Sequence, residues 1–248
     1  MSTLRIVDRR RSLDEIADLA VAYARAHVAT LIVPLSVLCA GTLLLIFLTQ
    51  RALDLDWGRT WILALIESAV VTRISMAIFA AHLTGGPAQL TGGLRTVLDR
   101  PALLVTPGVW PWITLLAIDP VNGASLTAAL GFVFLTPVFL VRGAFAHALA
   151  IFDQLPIKRA LEISVLLTRT RAPRTLALVF LGVMVLGVCA TIGDQLVSWV
   201  AVRASVDLPF DTLSEEYGSW GAIGGLLTGS PFVALLRVLE YLDARAAQ

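Results

Sequence analysis

Residues 28–49 read VATLIVPLSVLCAGTLLLIFLT, an apolar run that contains no charged side chain. A helix rises about 1.5 Å per residue, so about 20 such residues cross a hydrocarbon core about 30 Å thick. Further runs of this kind lie at 60–82, 101–118, 125–150, 175–199 and 220–240, the third interrupted by Pro107 and Pro111. The whole 248-residue chain is 57% hydrophobic and 15% charged, with a mean hydropathy of +0.82. Soluble domains carry about 25% charge, so a soluble globular domain, a disordered chain and a nucleic-acid binder are excluded. The reading is an all-α integral membrane protein of six transmembrane helices, with residues 1–248 forming a single polytopic domain.

Between the runs lie amphipathic stretches. Ser12-Leu13-Asp14-Glu15 is a capping box, in which the serine hydroxyl and the glutamate carboxylate satisfy each other's backbone amides. It opens an expected interfacial helix over 12–27, with Leu13, Ile16, Ala17, Ala20 and Ala24 at helical spacing. A second is expected at 156–172, ended by Pro173, and a shorter segment at 88–100 follows the Gly85-Gly86-Pro87 turn. Asp14, Glu15 and Asp18 sit where a signal peptide would be apolar, so the first 27 residues are expected to be retained.

Basic residues set the expected orientation. The N-terminal segment, the second and fourth connections and the C-terminal tail hold 13 Lys and Arg, against 3 in the other connections. This places both termini in the cytoplasm of a bacterial inner membrane. Trp57, Trp61, Trp199 and Trp220 then fall at the outer interface, as an aromatic belt does.

The order surface helix, span, span occurs three times. Arg73, Arg142 and Arg237 each stand in the inner half of a second span, after the small residues Ser68, Thr136 and Ser230. Pro137 and Pro231 also correspond. A threefold repeat accounts for this order, and so does the monotony of helix pairs.

An intramembrane arginine costs about 2.5 kcal/mol or more at mid-bilayer. Arg73, Arg142 and Arg237 therefore read either as one basic cavity for an anionic lipid headgroup or as side chains that snorkel to phosphates or pair with acids. Glu240, three residues after Arg237, is the local partner in the second case. Glu67 is a proton site or a packing hydrogen bond, and Asp194 near a span end is expected to reach water. His27, His82 and His147 lie on three spans without H-E-x-x-H spacing, and Cys39 and Cys189 lie in apolar runs, so no metal, cofactor or disulfide is expected. The pairs Gly85-Gly86, Gly92-Gly93 and Gly224-Gly225 read as turns or close helix packing, and Glu215-Glu216 as a solvated face.

The stretch Ser230-Pro231…Arg237…Tyr241-Leu242-Asp243-Ala244-Arg245 resembles the last helix of a bacterial family of six-helix membrane proteins. That family includes the membrane domain attached to some glycerophosphoryl diester phosphodiesterases. There the last helix holds a proline and ends in Tyr-x-Asp-x-Arg. The amphipathic N-terminal segment and Ile157–Thr170, with Ser164 and Arg169, fit the same pattern. The resemblance implies a fold and a membrane role. It implies no hydrolase activity, because these residues show no phosphodiesterase domain.

Three functional readings follow. The first is a non-catalytic scaffold or lipid-interacting subunit that works with other membrane proteins. The second is a transporter or permease subunit with an anionic site near the arginines, suggested by the proline-interrupted spans. The third, a lipid enzyme, lacks a convergent nucleophile, base or metal set. The orientation has a direct test: a cysteine at Glu215 should react with an impermeant thiol probe from outside the cell, and labelling only from the cytoplasmic side overturns it.

Overall fold

The computed structural model describes residues 11–103, 141–169, 171–204 and 219–246. Among them every regular element is helical: α1 Leu13–Leu53, α2 Trp57–Leu83, α3 Leu90–Leu98, α4 Ala146–Phe152, α5 Ile157–Arg169, α6 Ala172–Ala204 and α7 Trp220–Ala246, with a 3-10 turn at Pro101–Leu103. Four of them, α1, α2, α6 and α7, are long and apolar enough to cross a membrane, which marks the chain as a membrane protein. The expected spans at 101–118 and 125–150 fall mostly outside the described residues, as do Thr136 and Pro137.

Helix α1 corrects one expected boundary. The interfacial segment 12–27 and the span 28–49 form one 41-residue helix. The change from amphipathic to apolar sequence alters what surrounds the helix, not its backbone. Neither Gly nor Pro stands at residues 26–29, and Pro34 lies further in. The start is as expected: Ser12 N donates to Glu15 Oε2 at 3.1 Å and Glu15 N to Ser12 Oγ at 3.4 Å. At the far end Asp54 adopts a left-handed cap at φ 49°, and Asp56 Oδ1 caps α2 by accepting from Arg59 N at 2.9 Å.

Rings mark two levels along α1. Tyr23, His27 and His82 cluster at one, with His27 and His82 centroids 4.8 Å apart. Phe47 and Trp57 flank Trp220 at the other, 5.2 and 5.6 Å away. The helix from His27 to Phe47 is about 30 Å long, one hydrocarbon thickness. The apolar run 28–49 lies mostly between these two ring clusters, inside a longer helix.

Helix α7 is the hub. Most of its residues are buried, whereas α1 and α6 turn side chains such as Ile32, Leu44, Phe180 and Val188 outward. Apolar faces of this kind suit lipid. In both described pairs the second helix, α2 or α7, is the more buried. Gly221, Gly225 and Gly229, spaced every four residues, let α6 approach α7 closely. A Cβ on Gly221 would stand 2.7 Å from the Gly193 carbonyl oxygen, and one on Gly225 would overlap that of Cys189. Asp194 on α6 is only 5% exposed and so does not reach water as expected.

Polar side chains fasten the other contacts. Pro231 has no N–H for the Leu227 carbonyl one turn earlier. The Cys39 thiol of α1 donates to that carbonyl instead, at 3.3 Å. The hydroxyls of Ser68 on α2 and Ser230 on α7 meet at 2.8 Å.

The glycine crossing yields a paired prediction. Gly225→Ala should destabilise the protein by at least about 1–3 kcal/mol through overpacking. Gly224→Ala, whose Cβ meets only Leu43 Cδ2 at 3.7 Å, should stay within about 0.5 kcal/mol. Thermal unfolding in detergent compares them, and equal melting temperatures would contradict the crossing.

Candidate functional site

The end of the bundle where Arg11 and Asp243 meet holds two groups of charges. The first is balanced. Asp243, with a fully buried side chain, accepts from the Arg11 amide at 2.7 Å, from Arg174 Nη2 at 2.9 Å and from Arg171 Nη1 at 3.3 Å. Glu240 accepts from the Nε and Nη2 of Arg174 at 3.1 and 2.9 Å, and Arg174 Nη1 donates to the Arg11 carbonyl at 2.6 Å. On another face of α7, Asp153 accepts from the Tyr241 hydroxyl at 2.5 Å and pairs with Arg245 Nη1 at 2.9 Å.

Helical geometry explains the division. Tyr241 and Arg245 are four residues apart and share a face, while Asp243 is about 200° round from Tyr241. The Tyr-x-Asp-x-Arg pattern therefore holds the α4–α5 connection on one side, and the starts of α1 and α6 on the other. Sequence reading singled out this pattern but missed its partners Asp153, Arg171 and Arg174. Of the two readings of Arg237, the local pair with Glu240 is not formed, because Arg174 offers Glu240 two donors from the facing helix.

The second group is unbalanced. Arg73, on the fully buried stretch Val71–Ala80 of α2, is 4% exposed. Its Nε donates to His147 Nε2 on α4 at 2.9 Å, which leaves the His147 ring proton on Nδ1. His147 also hydrogen-bonds the Leu103 backbone. Arg73 Nη1 is buried without a hydrogen-bond partner, as is Ser75 Oγ two residues on. Half-buried Arg237 on α7 lies close enough to act electrostatically on both Arg73 and His147. The structure thus brings together two of the three arginines singled out from sequence.

Arg142 is exposed. Its carbonyl accepts from the Ser164 hydroxyl at 2.7 Å, and that hydroxyl accepts from the Phe145 amide at 3.1 Å, fixing the turn between Arg142 and α4 against α5. Glu67 is half-buried on α2, about 9 Å along the axis from Arg73 and outside the cluster. The histidines divide: His27 and His82 pack with Tyr23, and His147 faces Arg73. Among the described residues no three His, Cys, Asp or Glu side chains are placed to hold a metal ion.

Removing the shared acid tests the balanced group. Asp243→Ala leaves Arg171 and Arg174 facing each other and should cost about 3–5 kcal/mol. Tyr241→Phe removes one bond to a charged acceptor and should cost about 1.5–3 kcal/mol. Denaturant unfolding in micelles measures both, and a neutral Asp243→Ala would show that the network contributes nothing to stability. Against known proteins, no family model matches the chain, and neither a curated protein nor a solved structure is similar to it.

Proposed function

We propose that this chain is a non-catalytic module of the bacterial cytoplasmic membrane, a lipid-interacting scaffold within a larger membrane complex. It has six spans and cytoplasmic termini in this reading. Kinship with the six-helix family of the phosphodiesterase membrane domains is part of the same reading, supported by the Tyr-x-Asp-x-Arg pattern. Support for the orientation is the excess of Lys and Arg on one side of the sequence-derived topology.

One observation carries the function. The acids Asp153, Glu240 and Asp243 are taken up by Arg171, Arg174, Arg245 and Tyr241, while Arg73 and Arg237 stand together with no carboxylate bonded to either among the described residues. Two neighbouring cations in a low-dielectric setting repel each other and call for an anion. Arg73 Nη1 is a free donor for it. A phosphate group suits the planar fork of arginine, and basic pockets between spans on the cytoplasmic side bind anionic headgroups.

The experiment is lipid analysis of the purified protein. Arg73→Gln and Arg237→Gln should each lower co-purifying anionic lipid about tenfold, since a charge-assisted hydrogen bond is worth about 1.5–3 kcal/mol. Arg142→Gln, at an exposed position, should leave it unchanged. Equal lipid content in all three variants defeats the proposal.

A further inference from the structure

His27 and His82 lie outside both charged groups and meet where α1 faces α2. Tyr23 and His27 are four residues apart and share one face of α1. His82 stands in the last turn of α2. The three rings close on one another. Their centroids are 4.6 Å apart for Tyr23 and His27, 4.8 Å for His27 and His82, and 5.9 Å for Tyr23 and His82.

The His82 ring is set up as a ligand. It hydrogen-bonds the Gly86 backbone, and its Nε2 is buried without a partner, so that bond uses the Nδ1 proton. Gly85, at φ 85°, makes the turn that brings Gly86 back, and the Gly86 amide donates to the Ala81 carbonyl at 2.8 Å. With its proton on Nδ1, the ring keeps a lone pair on Nε2. Metal-bound histidines have this form: one ring nitrogen donates to a carbonyl and fixes the ring, and the other faces the ion. The Tyr23 hydroxyl is also buried without a hydrogen-bond partner. Buried polar atoms are normally paired, so two orphans in one cluster of three rings need a cause. Packing is not one, because phenylalanine would fill the space without the cost of burying a polar group. Two imidazoles that share a tetrahedral zinc, about 2.0–2.1 Å from each nitrogen, have ring centres roughly 5 Å apart. The His27–His82 separation fits that arrangement.

We propose that Tyr23, His27 and His82 bind a divalent transition-metal ion of the zinc class. The protein ligands are His82 Nε2, a ring nitrogen of His27 and the Tyr23 oxygen, with water in the fourth position. Tyr23 coordinates as the phenolate and releases its hydroxyl proton to water. Imidazole donors suit zinc and its neighbours, whereas calcium and magnesium take oxygen ligands throughout. The third donor is a phenol and the ligands come from two helices, so histidine spacing along the chain gives no sign of the site. His27 is half-buried and the Thr84–Gly85 turn is exposed, so the ion enters from this end of the bundle. Helices α1 and α2 are joined through Asp54–Asp56, about 37 Å along α2 from His82. The metal ties the same pair together at its other end. This site goes beyond the arginine site and does not depend on it.

The test titrates untagged, EDTA-stripped full-length protein in detergent with Co²⁺, a zinc substitute whose visible bands report its coordination. One equivalent should produce those bands together with an ultraviolet tyrosinate difference band, and Zn²⁺ should displace it. His27→Phe and His82→Phe keep a ring in place. Each should weaken binding at least about 100-fold, since outer-shell partners alone are worth about 10–100-fold. Tyr23→Phe should remove the tyrosinate band and weaken binding at least about tenfold. Cys189→Ser should change nothing. Zn²⁺ should raise the melting temperature of the wild type and of none of the three ring variants, whose cooperative melting in EDTA shows that they fold. Absence of the bands in the wild type at micromolar Co²⁺ overturns the proposal. Bands that survive His82→Phe or His27→Phe put the ion elsewhere and overturn it. A tyrosinate band that persists in Tyr23→Phe overturns the ligand set, and bands lost with Cys189→Ser would assign the ion to a thiol and overturn it too.

Discussion

Asp243 has a fully buried carboxylate that bonds two guanidinium groups and a backbone amide. A lone carboxylate in such a position would be protonated or exposed, because desolvation of an ion costs several kcal/mol. Its partners are Arg11, two residues before α1, and Arg171 and Arg174 at the start of α6. Satisfying this one side chain therefore draws the chain's first helix, the start of its fifth expected span and its last helix to a common level. Asp153, held by Tyr241 and Arg245, adds the α4–α5 connection. The end of α7 thus gathers connections that are far apart in sequence, which apolar packing alone, being non-directional, does not do.

Along the rest of α7 the constraint changes from charge to fit. In lipid, apolar burial gives helices little reason to associate, so close packing and polar bonds must hold them. The glycine stripe gives α6 an approach that side chains would block. The Pro231 defect exposes a carbonyl that Cys39 fills, and Ser230 reaches Ser68. Each face of α7 is committed to a different neighbour, which accounts for its burial on nearly every side while α1 and α6 keep an apolar outer face.

Much of this was legible in the sequence. The capping box at Ser12, the amphipathic pattern at 156–172 and the apolar runs around 60–82, 175–199 and 220–240 each correspond to observed helices, because capping, periodicity and hydropathy are local properties. The continuity of α1 was not legible, since a change of environment leaves no mark on a helical backbone. Nor were the partners of Asp243 and Glu240, which are 66 to 232 residues away, whereas Arg237 is only three from Glu240. The Gly221-x-x-x-Gly225-x-x-x-Gly229 spacing is a readable signal of helix contact, which the adjacent pair Gly224-Gly225 masks. Of the candidate site, Arg73 and Arg237 stood out as costly residues. The role of His147 could not be read, because nothing in its neighbourhood on the chain refers to α2.

The contrast between the two charged groups explains why only one of them reads as a site. Arg171, Arg174 and Arg245 have carboxylates within bonding distance, so their charge is spent on holding the fold. Arg73 has a neutral imidazole as its partner, which fixes its direction without cancelling its charge. A residue kept only for packing would be served as well by leucine, and one kept only for stability would have an acid beside it. A guanidinium oriented by His147, left with a free Nη1 and placed near a second cation is arranged to be completed by something other than the described parts of this chain. In the proposed reading the ion-pair network alongside it holds the frame of the bundle independently of that anion.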